Sequence, residues 1–340
     1  MLNSKEVEKI KQLLSVKKKI VITTHHNPDG DAMGSSLGLY QYLKQKKQQV
    51  TVITPNVWPS FLDWMPGADH CISADQHLKK ASRLIQEAEI IFCLDYNSTK
   101  RTNDLSEVIQ AAPGFKIMID HHIQPESFAD ITYSDITASS TCEMIYEFIQ
   151  MLDNKVNISS DCADCLYSGI MTDTGSFKYN STTSKTHQVA ADLINQGARN
   201  SFIHQKIFDT NTYERMRLLG FCLSEKLTLL NDYHTAFIAL TAQELESFHH
   251  RKGDTEGIVN YALSIGEVNF SAIFIERDNE IKISFRSKGS FDVNTFARQH
   301  FSGGGHKNAA GGKGADNMDE TIMKFIQILP QYKQALSVNE

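Results

Sequence analysis

Short apolar runs and helical patterns alternate along the N-terminal part of the chain. The apolar runs are rich in β-branched residues and predict strands at residues 19–24, 49–54, 90–95, 116–120 and 131–133. Apolar residues at helical spacing predict a first helix around residues 7–14 and further helices at 32–46, 105–111, 140–152, 161–170 and 184–196. Because strands that alternate with helices are typical of a parallel sheet, we predict an α/β domain here.

The pattern changes after a mostly helical segment at residues 200–225. Residues 226–240 and 270–285 predict two antiparallel strand pairs, the second of which turns at Asp278 and Asn279. A predicted helix at 291–301, a glycine-rich segment at 302–314 and a predicted terminal helix at 318–336 follow. We therefore predict three parts: a larger domain over residues 1–199, a helical connector over 200–225 and a smaller α/β domain over 226–340.

The composition excludes several classes of protein. Hydrophobic residues make up 41% and charged residues 22% of the 340 positions, as in ordinary globular proteins, so a wholly disordered chain is excluded. Every apolar run is shorter than the roughly 18–20 residues that a membrane-spanning helix needs. The N-terminal residues lack the apolar core of a signal peptide. The sequence therefore predicts a soluble, cytoplasmic protein.

The net charge bears on the kind of substrate, and the cysteines bear on disulfide and zinc sites. Proteins that bind long nucleic acids usually carry a basic surface, whereas this chain has a net charge of −6. The acidic balance favours a short anionic substrate held in a local site. The six cysteines do not form the framework of a small disulfide-rich protein. Cys162 and Cys165 form a CxxC inside a predicted helix, and we expect a buried apolar pair there rather than a zinc site.

Acidic residues and histidines follow three of the predicted strands. The strand at 19–24 leads into HHNPDGDAMGS, the strand at 90–95 ends in LDYN with Asp95, and the strand at 116–120 ends in DHH. Ligand sites of open α/β sheets form outside the carboxyl ends of the strands. A fourth segment, MTDTGSF with Asp173, lies near the end of a predicted helix. We therefore expect these four segments to contribute to one site.

Carboxylates and imidazoles without a thiolate suit manganese, magnesium or iron better than structural zinc. Asp29 and Asp31 lie in the same loop and could each bind a different ion. Asp95, on another strand, is the candidate for a bridging carboxylate. Two ions ~3.5–4 Å apart activate water and hold both the attacking and the leaving oxygen of a phosphoryl group. A single aspartate at a strand end usually caps a turn or helix, but four such segments at one edge are hard to explain by capping alone. The sequence therefore predicts a two-metal site for phosphoryl chemistry.

HHNPDGDAMGS, LDYN, DHH and MTDTGSF, in this order, resemble the four motifs of the DHH phosphoesterase superfamily. SGGGHKNAAGG, preceded by SFRSKGSFDVN, resembles the DHH-associated C-terminal domain. The resemblance covers nearly the whole chain, and the chain looks most similar to the bifunctional oligoribonuclease (nanoRNase) and pAp phosphatase group. It implies a DHH domain with a mostly parallel sheet, a smaller α/β substrate-binding domain and an active site in the cleft between them.

The resemblance also implies a role for each motif residue. One manganese ion would be held by His25, Asp29 and Asp95, and the second by Asp31, Asp95, His121 and Asp173, so that Asp95 bridges them. His122 would face the scissile phosphate, and Asp120 would orient the loop or a ligand histidine; with Asp95 they are the implied catalytic residues. The implied substrate-binding residues are Arg286, Ser287, Gly304, Gly305 and His306. Magnesium or another divalent ion is the alternative to manganese.

The implied activity is metal-dependent hydrolysis of short oligoribonucleotides to mononucleotides, by an exonuclease that also removes phosphate from pAp. The expected partners are short single-stranded RNA or small nucleotides such as pAp and pApA. Long duplex nucleic acids and membranes are not expected as partners. Relatives suggest a homodimer. A phosphodiesterase for cyclic di-AMP or pApA is the main alternative. An exopolyphosphatase and a non-catalytic nucleotide-binding protein are the weaker alternatives.

Overall fold

The structure is a computed structural model that describes residues 2–153, 157–251, 253–277, 280–315 and 317–337. It divides into two compact units, Met1–Thr210 and Asn211–Glu340. The division falls inside the segment that the sequence predicts as a helical connector. The turn predicted at Asp278 and Asn279 lies outside the described residues. No helix in the described part of the chain is long and apolar enough to cross a membrane.

The N-terminal unit contains a six-stranded parallel sheet in the order β3-β2-β1-β4-β5-β6. The strands are β1 (Lys19–Thr23), β2 (Gln49–Thr54), β3 (Ile72–Ser73), β4 (Ile90–Leu94), β5 (Phe115–Asp120) and β6 (Ile131–Ser134). The chain builds the sheet outward from β1 in one direction and from β4 in the other. The neighbours β1 and β4 therefore form a topological switch point, where ligands of open α/β sheets bind. The prediction of a mostly parallel α/β domain is confirmed.

Eight helices of this unit accompany the sheet: α1 (Ser4–Leu14), α2 (Gly30–Gln45), α3 (Ala74–Glu87), α4 (Ser106–Ala111), α5 (Thr141–Leu152), α6 (Ser160–Asp173), α7 (Ser184–Asn195) and α8 (Asn200–Phe208). Alternate strand residues face opposite sides of the sheet. Ile22 and Phe92 belong to a core shared with α2, α5 and α6, whereas Val21 and Ile91 belong to a second core shared with α3 and α4. The sheet is therefore covered on both faces, as parallel sheets require.

Helix α2, which carries the first acidic motif, is buried along almost its whole length. Its glycines permit a close approach to another backbone, since a Cβ atom on Gly34 would lie 2.6 Å from the carbonyl oxygen of Cys165. A Cβ atom on Gly38 would collide with the side chain of Leu166. Both contacts are with α6, so the partner of these glycines is a helix rather than the sheet. The contact fixes α2 against the helix that ends in Asp173.

The C-terminal unit contains a second six-stranded sheet, in the order β11-β12-β10-β9-β8-β7. Its elements are α9 (Tyr213–Phe221), β7 (Leu227–Leu230), β8 (Thr235–Leu240), α10 (Ala242–Ser247), α11 (Ile258–Leu263), β9 (Phe270–Arg277), β10 (Glu280–Ser287), α12 (Val293–His300), β11 (Gly304–His306), β12 (Ala309–Lys313), α13 (Met318–Ile328) and α14 (Lys333–Leu336). Strands β8 and β9 are parallel and the other neighbours are antiparallel. The predicted pairs β7–β8 and β9–β10 are confirmed, and a phenylalanine-rich core lies beneath the sheet.

Candidate metal centre

Three neighbouring strands place the acidic motifs at one edge of the N-terminal sheet. His25 follows β1, Asp95 follows β4 directly, and Asp120 is the last residue of β5. The chain turns sharply at Asp95, whose φ of 63° is in the left-handed region and whose backbone N–H donates to the carbonyl oxygen of Ile119 at 3.1 Å. A left-handed conformation at a residue other than glycine costs free energy and is common at functional sites. The turn keeps Asp95 at the switch point between β1 and β4.

His25, Asp29 and Asp95 form a first ligand group. Nε2 of His25 lies 3.7 Å from Oδ2 of Asp29 and 3.4 Å from Oδ2 of Asp95. Nδ1 of His25 lies 2.9 Å from the backbone carbonyl oxygen of the next residue, which directs Nε2 toward the carboxylates. Asp29 caps α2, since its Oδ1 accepts two hydrogen bonds of 3.0 Å from the first turn of the helix. The three side chains are close enough to hold one metal ion.

Asp31, His121 and Asp173 form a second ligand group. Nε2 of His121 lies 3.8 Å from Oδ2 of Asp31, 3.6 Å from Oδ2 of Asp173 and 3.6 Å from Oδ1 of Asp95. Nδ1 of His121 faces the carbonyl oxygen of Ala138 at 3.3 Å, so that Nε2 faces the carboxylates. Asp95 therefore directs one carboxylate oxygen toward each ligand group. This is the geometry that a bridging carboxylate needs.

Asp120 contacts His122, the histidine that has no ligand role in the sequence prediction. Nδ1 of His122 lies 2.7 Å from Oδ1 of Asp120, and the backbone N–H of His122 donates to Oδ2 of Asp120 at 3.1 Å. Nδ1 of His122 also lies 3.6 Å from Oδ1 of Asp95. Asp120 is fully buried, so this pair of contacts fixes the imidazole of His122. The structure thus brings together all eight residues of the N-terminal unit that were predicted as metal ligands or catalytic residues.

The carboxylates of the site differ in their affinity for protons. Burial and the neighbouring carboxylates raise the pKa of Asp31 well above its usual range, and burial raises the pKa of Asp173 to about 7. Burial also opposes ionisation of Asp95, but its hydrogen bond with His25 and the charges of the neighbouring histidines hold its pKa well below the usual range. Of these three carboxylates, Asp95 is the one whose surroundings favour the ionised form.

Burial disfavours charge on both ligand histidines, yet the neighbouring carboxylates outweigh it. The hydrogen bond with Asp95 and the charge of Asp29 raise the pKa of His25 to about 9. The charges of Asp173 and Asp31 raise the pKa of His121 to about 9. The site therefore binds protons because it concentrates negative charge. Divalent cations would replace those protons, as they do at carboxylate and histidine sites in general.

Helix α5 contributes contacts to the site that were not predicted from the sequence. The backbone N–H groups of Thr141 and Cys142 donate to the two carboxylate oxygens of Asp31 at 2.6 Å and 2.9 Å. The hydroxyl of Thr141 donates to Oδ1 of Asp95 at 2.9 Å. The run Ser139-Ser140-Thr141 was a local signal for a helix start, but nothing in it indicates which residues that helix end would face.

Asn56 was also missed. It follows β2, and its Oδ1 accepts a hydrogen bond of 2.6 Å from the backbone N–H of Asn27, while its Nδ2 donates to Oδ1 of Asn27 at 3.1 Å. Asn27 has a left-handed φ of 57°. The two asparagines therefore hold the loop between His25 and Asp29 in one conformation.

The five predicted substrate-binding residues lie on β10 and β11, the two strands that flank β12 in the second sheet. Arg286 on β10 and His306 on β11 both lie opposite Ala309 of the intervening strand β12. Nη1 of Arg286 donates to the carbonyl oxygen of Phe285 at 2.9 Å. Gly304 begins strand β11. The strand pairing thus places the guanidinium-bearing residue and the histidine at the same end of the sheet.

Ser287 and Gly305 use their polar groups within the C-terminal unit. The Ser287 hydroxyl donates to the carbonyl oxygen of Phe291 at 2.6 Å and accepts from Nδ2 of Asn308 at 2.9 Å. The N–H of Gly305 donates to Oδ1 of Asn294 at 2.9 Å. A Cβ atom on Gly305 would lie 2.5 Å from the carbonyl oxygen of Ala309, so strand packing explains this glycine. These two polar groups are engaged within the C-terminal unit, and the substrate-binding role that the resemblance implies for both residues stays a prediction.

Comparison with known proteins gives family matches in both units. The model of the DHH family, N-terminal domain, matches residues 19–170, and that of the DHHA1 domain matches residues 234–335. A Streptococcus mutans protein named probable bifunctional oligoribonuclease and PAP phosphatase NrnA is 30% identical, over 86% of this chain and 88% of its own. The Bacillus subtilis protein named bifunctional oligoribonuclease and PAP phosphatase NrnA is 29% identical, over 88% of this chain and 90% of its own.

Solved structures agree with these matches. The crystal structure of an exopolyphosphatase-related protein from Bacteroides fragilis superposes with a TM-score of 0.94 at 42% identity, over 98% of this chain and 97% of the other. RecJ from Thermus thermophilus, crystallised with Mn²⁺, gives a TM-score of 0.55 at 11% identity, over 97% of this chain and 55% of its own, which supports the fold alone. The chain therefore belongs to the DHH family, with an N-terminal DHH domain followed by a DHHA1 domain.

Proposed function

We propose that this protein is a two-metal phosphoesterase that hydrolyses short oligoribonucleotides to mononucleotides and removes phosphate from pAp. The observation that carries the proposal is the position of Asp95, which directs one oxygen toward each of two histidine–carboxylate groups. The names of the relatives from S. mutans and B. subtilis support the substrate assignment. The acidic net charge of −6 supports a short substrate, because a long nucleic acid would favour an extended basic surface.

The donor set suits two divalent cations, since it consists of carboxylate oxygens and imidazole nitrogens. We assign one ion to the first ligand group and one to the second, with Asp95 shared, and we take Mn²⁺ as the metal, with Mg²⁺ as the alternative. When bound, the cations supply Lewis-acid activation of water and of the phosphoryl oxygens. His25 and His121 would each offer Nε2 to a cation, because Nδ1 of each ring faces a backbone carbonyl.

His122 has a separate role in this proposal. Asp120 holds its imidazole through Nδ1, which fixes the ring for a hydrogen bond to a non-bridging oxygen of the scissile phosphate. The same ring is placed to assist proton transfer to the leaving oxygen. Asp120 therefore acts on the substrate through His122, rather than by orienting a ligand histidine.

We assign substrate capture to the C-terminal unit. The Arg286 guanidinium is suited to a phosphate, which it can contact with two parallel hydrogen bonds, and His306 is the second cationic candidate. Gly304 gives the backbone close access to an anion. Ser287 on β10 and Gly305 on β11 bond Phe291 and Asn294, so we propose that these two substrate-binding candidates also hold the strands that carry Arg286 and His306 in place.

We also place the enzyme in the cytoplasm and propose that it forms a homodimer. All six cysteines lie within the described residues and form no disulfide, which agrees with a reducing compartment. The oligomeric state is measured by light scattering on the protein as it elutes from a size-exclusion column. A monomer at micromolar concentration would rule out the dimer.

Polyphosphate hydrolysis is the second candidate function. The structure from B. fragilis, 42% identical, is described as exopolyphosphatase-related. Both candidate functions use the same metal centre, and they differ in the substrate that the C-terminal unit would bind. Phosphodiester hydrolysis of cyclic di-AMP or pApA uses the same chemistry and belongs in the same test.

The test is release of phosphate and nucleotide from pAp, pApA, a five-residue RNA, cyclic di-AMP and polyphosphate, with Mn²⁺ and then with chelator. We expect chelator-sensitive turnover of pAp and the RNA, and none by Asp95→Asn protein purified in parallel. Turnover of polyphosphate alone would make the second candidate correct. Turnover of cyclic di-AMP or pApA alone would indicate that the protein degrades a signalling nucleotide. If nothing reacts while Mn²⁺ binding is measured directly, the protein is not an enzyme for these substrates.

A further inference from the structure

Thr141 contacts two carboxylates of the metal centre at once. It is the first residue of α5, and the preceding Ser140 caps that helix by accepting a hydrogen bond of 3.1 Å from the backbone N–H of Glu143. The Thr141 backbone N–H donates to Oδ2 of Asp31 at 2.6 Å, and its hydroxyl donates to Oδ1 of Asp95 at 2.9 Å. One residue therefore joins a member of the second ligand group to the carboxylate that both groups share.

The surroundings leave these contacts little freedom. Thr141 is fully buried, and the side chains of Asp31 and Asp95 are each 2% exposed. Both oxygens of Asp31 are engaged, because the Cys142 N–H donates to Oδ1 at 2.9 Å. A buried carboxylate held by two N–H groups cannot rotate without losing a hydrogen bond.

The Thr141 hydroxyl selects one orientation of Asp95. A carboxylate oxygen has two lone pairs, and the hydroxyl occupies one of them on Oδ1. The same oxygen lies 3.6 Å from Nε2 of His121, so it remains close to the second ligand group while it accepts this hydrogen bond. Oδ2 then faces His25. Because threonine is branched at Cβ, its hydroxyl itself has few orientations available.

We propose that Thr141 is a positioning residue of the metal centre. Its hydroxyl fixes the rotation of Asp95, and its backbone N–H fixes Asp31, so that both carboxylates offer oxygens to the cations in one arrangement. The inference rests on the proposed function for the presence of the cations. It concerns cation affinity, however, which is measured without substrate.

The experiment compares Thr141→Val with Thr141→Ser in the full chain. The valine variant keeps the shape and the backbone N–H but removes the hydroxyl, whereas the serine variant keeps both polar groups. Mn²⁺ affinity is measured by calorimetry, and the gain in melting temperature on adding Mn²⁺ is measured in parallel. We expect Thr141→Val to bind Mn²⁺ about 10–100-fold more weakly, as for other residues that orient metal ligands, and Thr141→Ser to regain most of that loss.

Thr235→Val is the matched control, because Thr235 is also fully buried and its hydroxyl donates to a backbone carbonyl, that of Tyr233, at 2.8 Å. It should lose a similar amount of stability and keep the wild-type Mn²⁺ affinity. Should Thr141→Val fail to fold, Thr141→Ala provides the same comparison. Wild-type affinity in the variant without the hydroxyl overturns the inference, as does a wild-type protein that binds no Mn²⁺. A wild-type protein that binds Mn²⁺ but cleaves no phosphoester contradicts the proposed function, and the positioning role stands if the affinity difference is found.

Discussion

Asp120 and His122 are joined twice: Oδ1 of Asp120 lies 2.7 Å from Nδ1 of His122, and Oδ2 accepts a hydrogen bond of 3.1 Å from the His122 backbone N–H. A carboxylate at Nδ1 keeps a proton on that nitrogen and so fixes the tautomer of the ring. The pair has the arrangement by which many enzymes orient a histidine that contacts substrate.

Replacing Asp120 by asparagine should therefore lower kcat about 10–100-fold while leaving Mn²⁺ affinity unchanged. The double variant Asp120→Asn/His122→Ala tests the pairing, because residues that act as a unit give non-additive losses. We expect the double variant to be no slower than His122→Ala alone. Losses that multiply would show that Asp120 acts independently of His122.

Asp95→Asn should remove both metal ions, because Asp95 is the side chain shared by the two ligand groups. We expect turnover to fall to background, because the cations supply the activation of water and of the phosphoryl oxygens. Asp29→Asn is the comparison: asparagine caps a helix as well as aspartate does, so α2 should persist while the first ligand group weakens. Calorimetric Mn²⁺ titration should give fewer bound ions for Asp95→Asn than for Asp29→Asn. Equal stoichiometry in the two variants would contradict the shared role.

Arg286→Ala should raise KM for pAp and short RNA more than it lowers kcat, because we assign this guanidinium to substrate capture. Removing a charge-assisted hydrogen bond to phosphate should cost about 1.5–3 kcal/mol, or roughly 10–100-fold in KM. Lys282→Ala on the same strand is the matched control, since its side chain is 52% exposed and pairs with Glu280. Steady-state kinetics on both variants checks the assignment, and equal KM values for Arg286→Ala and wild type would refute it.

Gly169→Ala should destabilise the protein. A Cβ atom there would collide with Sγ of Cys142 and lie 3.0 Å from Oδ1 of Asp31, and such overpacking costs about 1–3 kcal/mol of unfolding free energy. Gly220→Ala in α9 is the control, because nothing lies within 4 Å of its added Cβ and alanine favours a helix by roughly 0.5–1 kcal/mol. Urea unfolding should therefore shift in opposite directions for the two variants.

The parts of the fold that carry local patterns were predictable from the sequence. Strand β4 is a continuous apolar run, and its end at Leu94 places Asp95 at the sheet edge. Strand β3 has two residues, too short for an alternating pattern, and helix α3 after it was missed as well, although it carries Ala81 and Ile85 at helical spacing. Strands β11 and β12 are built largely of glycine and alanine, which lack the side chains by which strands are recognised.

The ligand candidates could be named because each follows a strand or ends a helix. The Thr141 contacts could not be predicted, because Thr141 and Asp31 are 110 positions apart and their contact depends on how α5 packs against α2. The same reason applies to Ser287 and Gly305. Their residue types suit an anion site, and only the structure shows that the Ser287 hydroxyl donates to the carbonyl oxygen of Phe291 and the Gly305 N–H to Asn294 of α12.

The reversal of strand order between β1 and β4 ties cation binding to folding. His25 comes from the half of the sheet that winds through β1, β2 and β3, and Asp95 from the half that winds through β4, β5 and β6. Neither half contains a complete first ligand group, so the site exists only after the two halves have paired. A cation that binds only the paired sheet stabilises it by mass action. The abundance of intact protein in a cell would then follow the supply of free divalent metal.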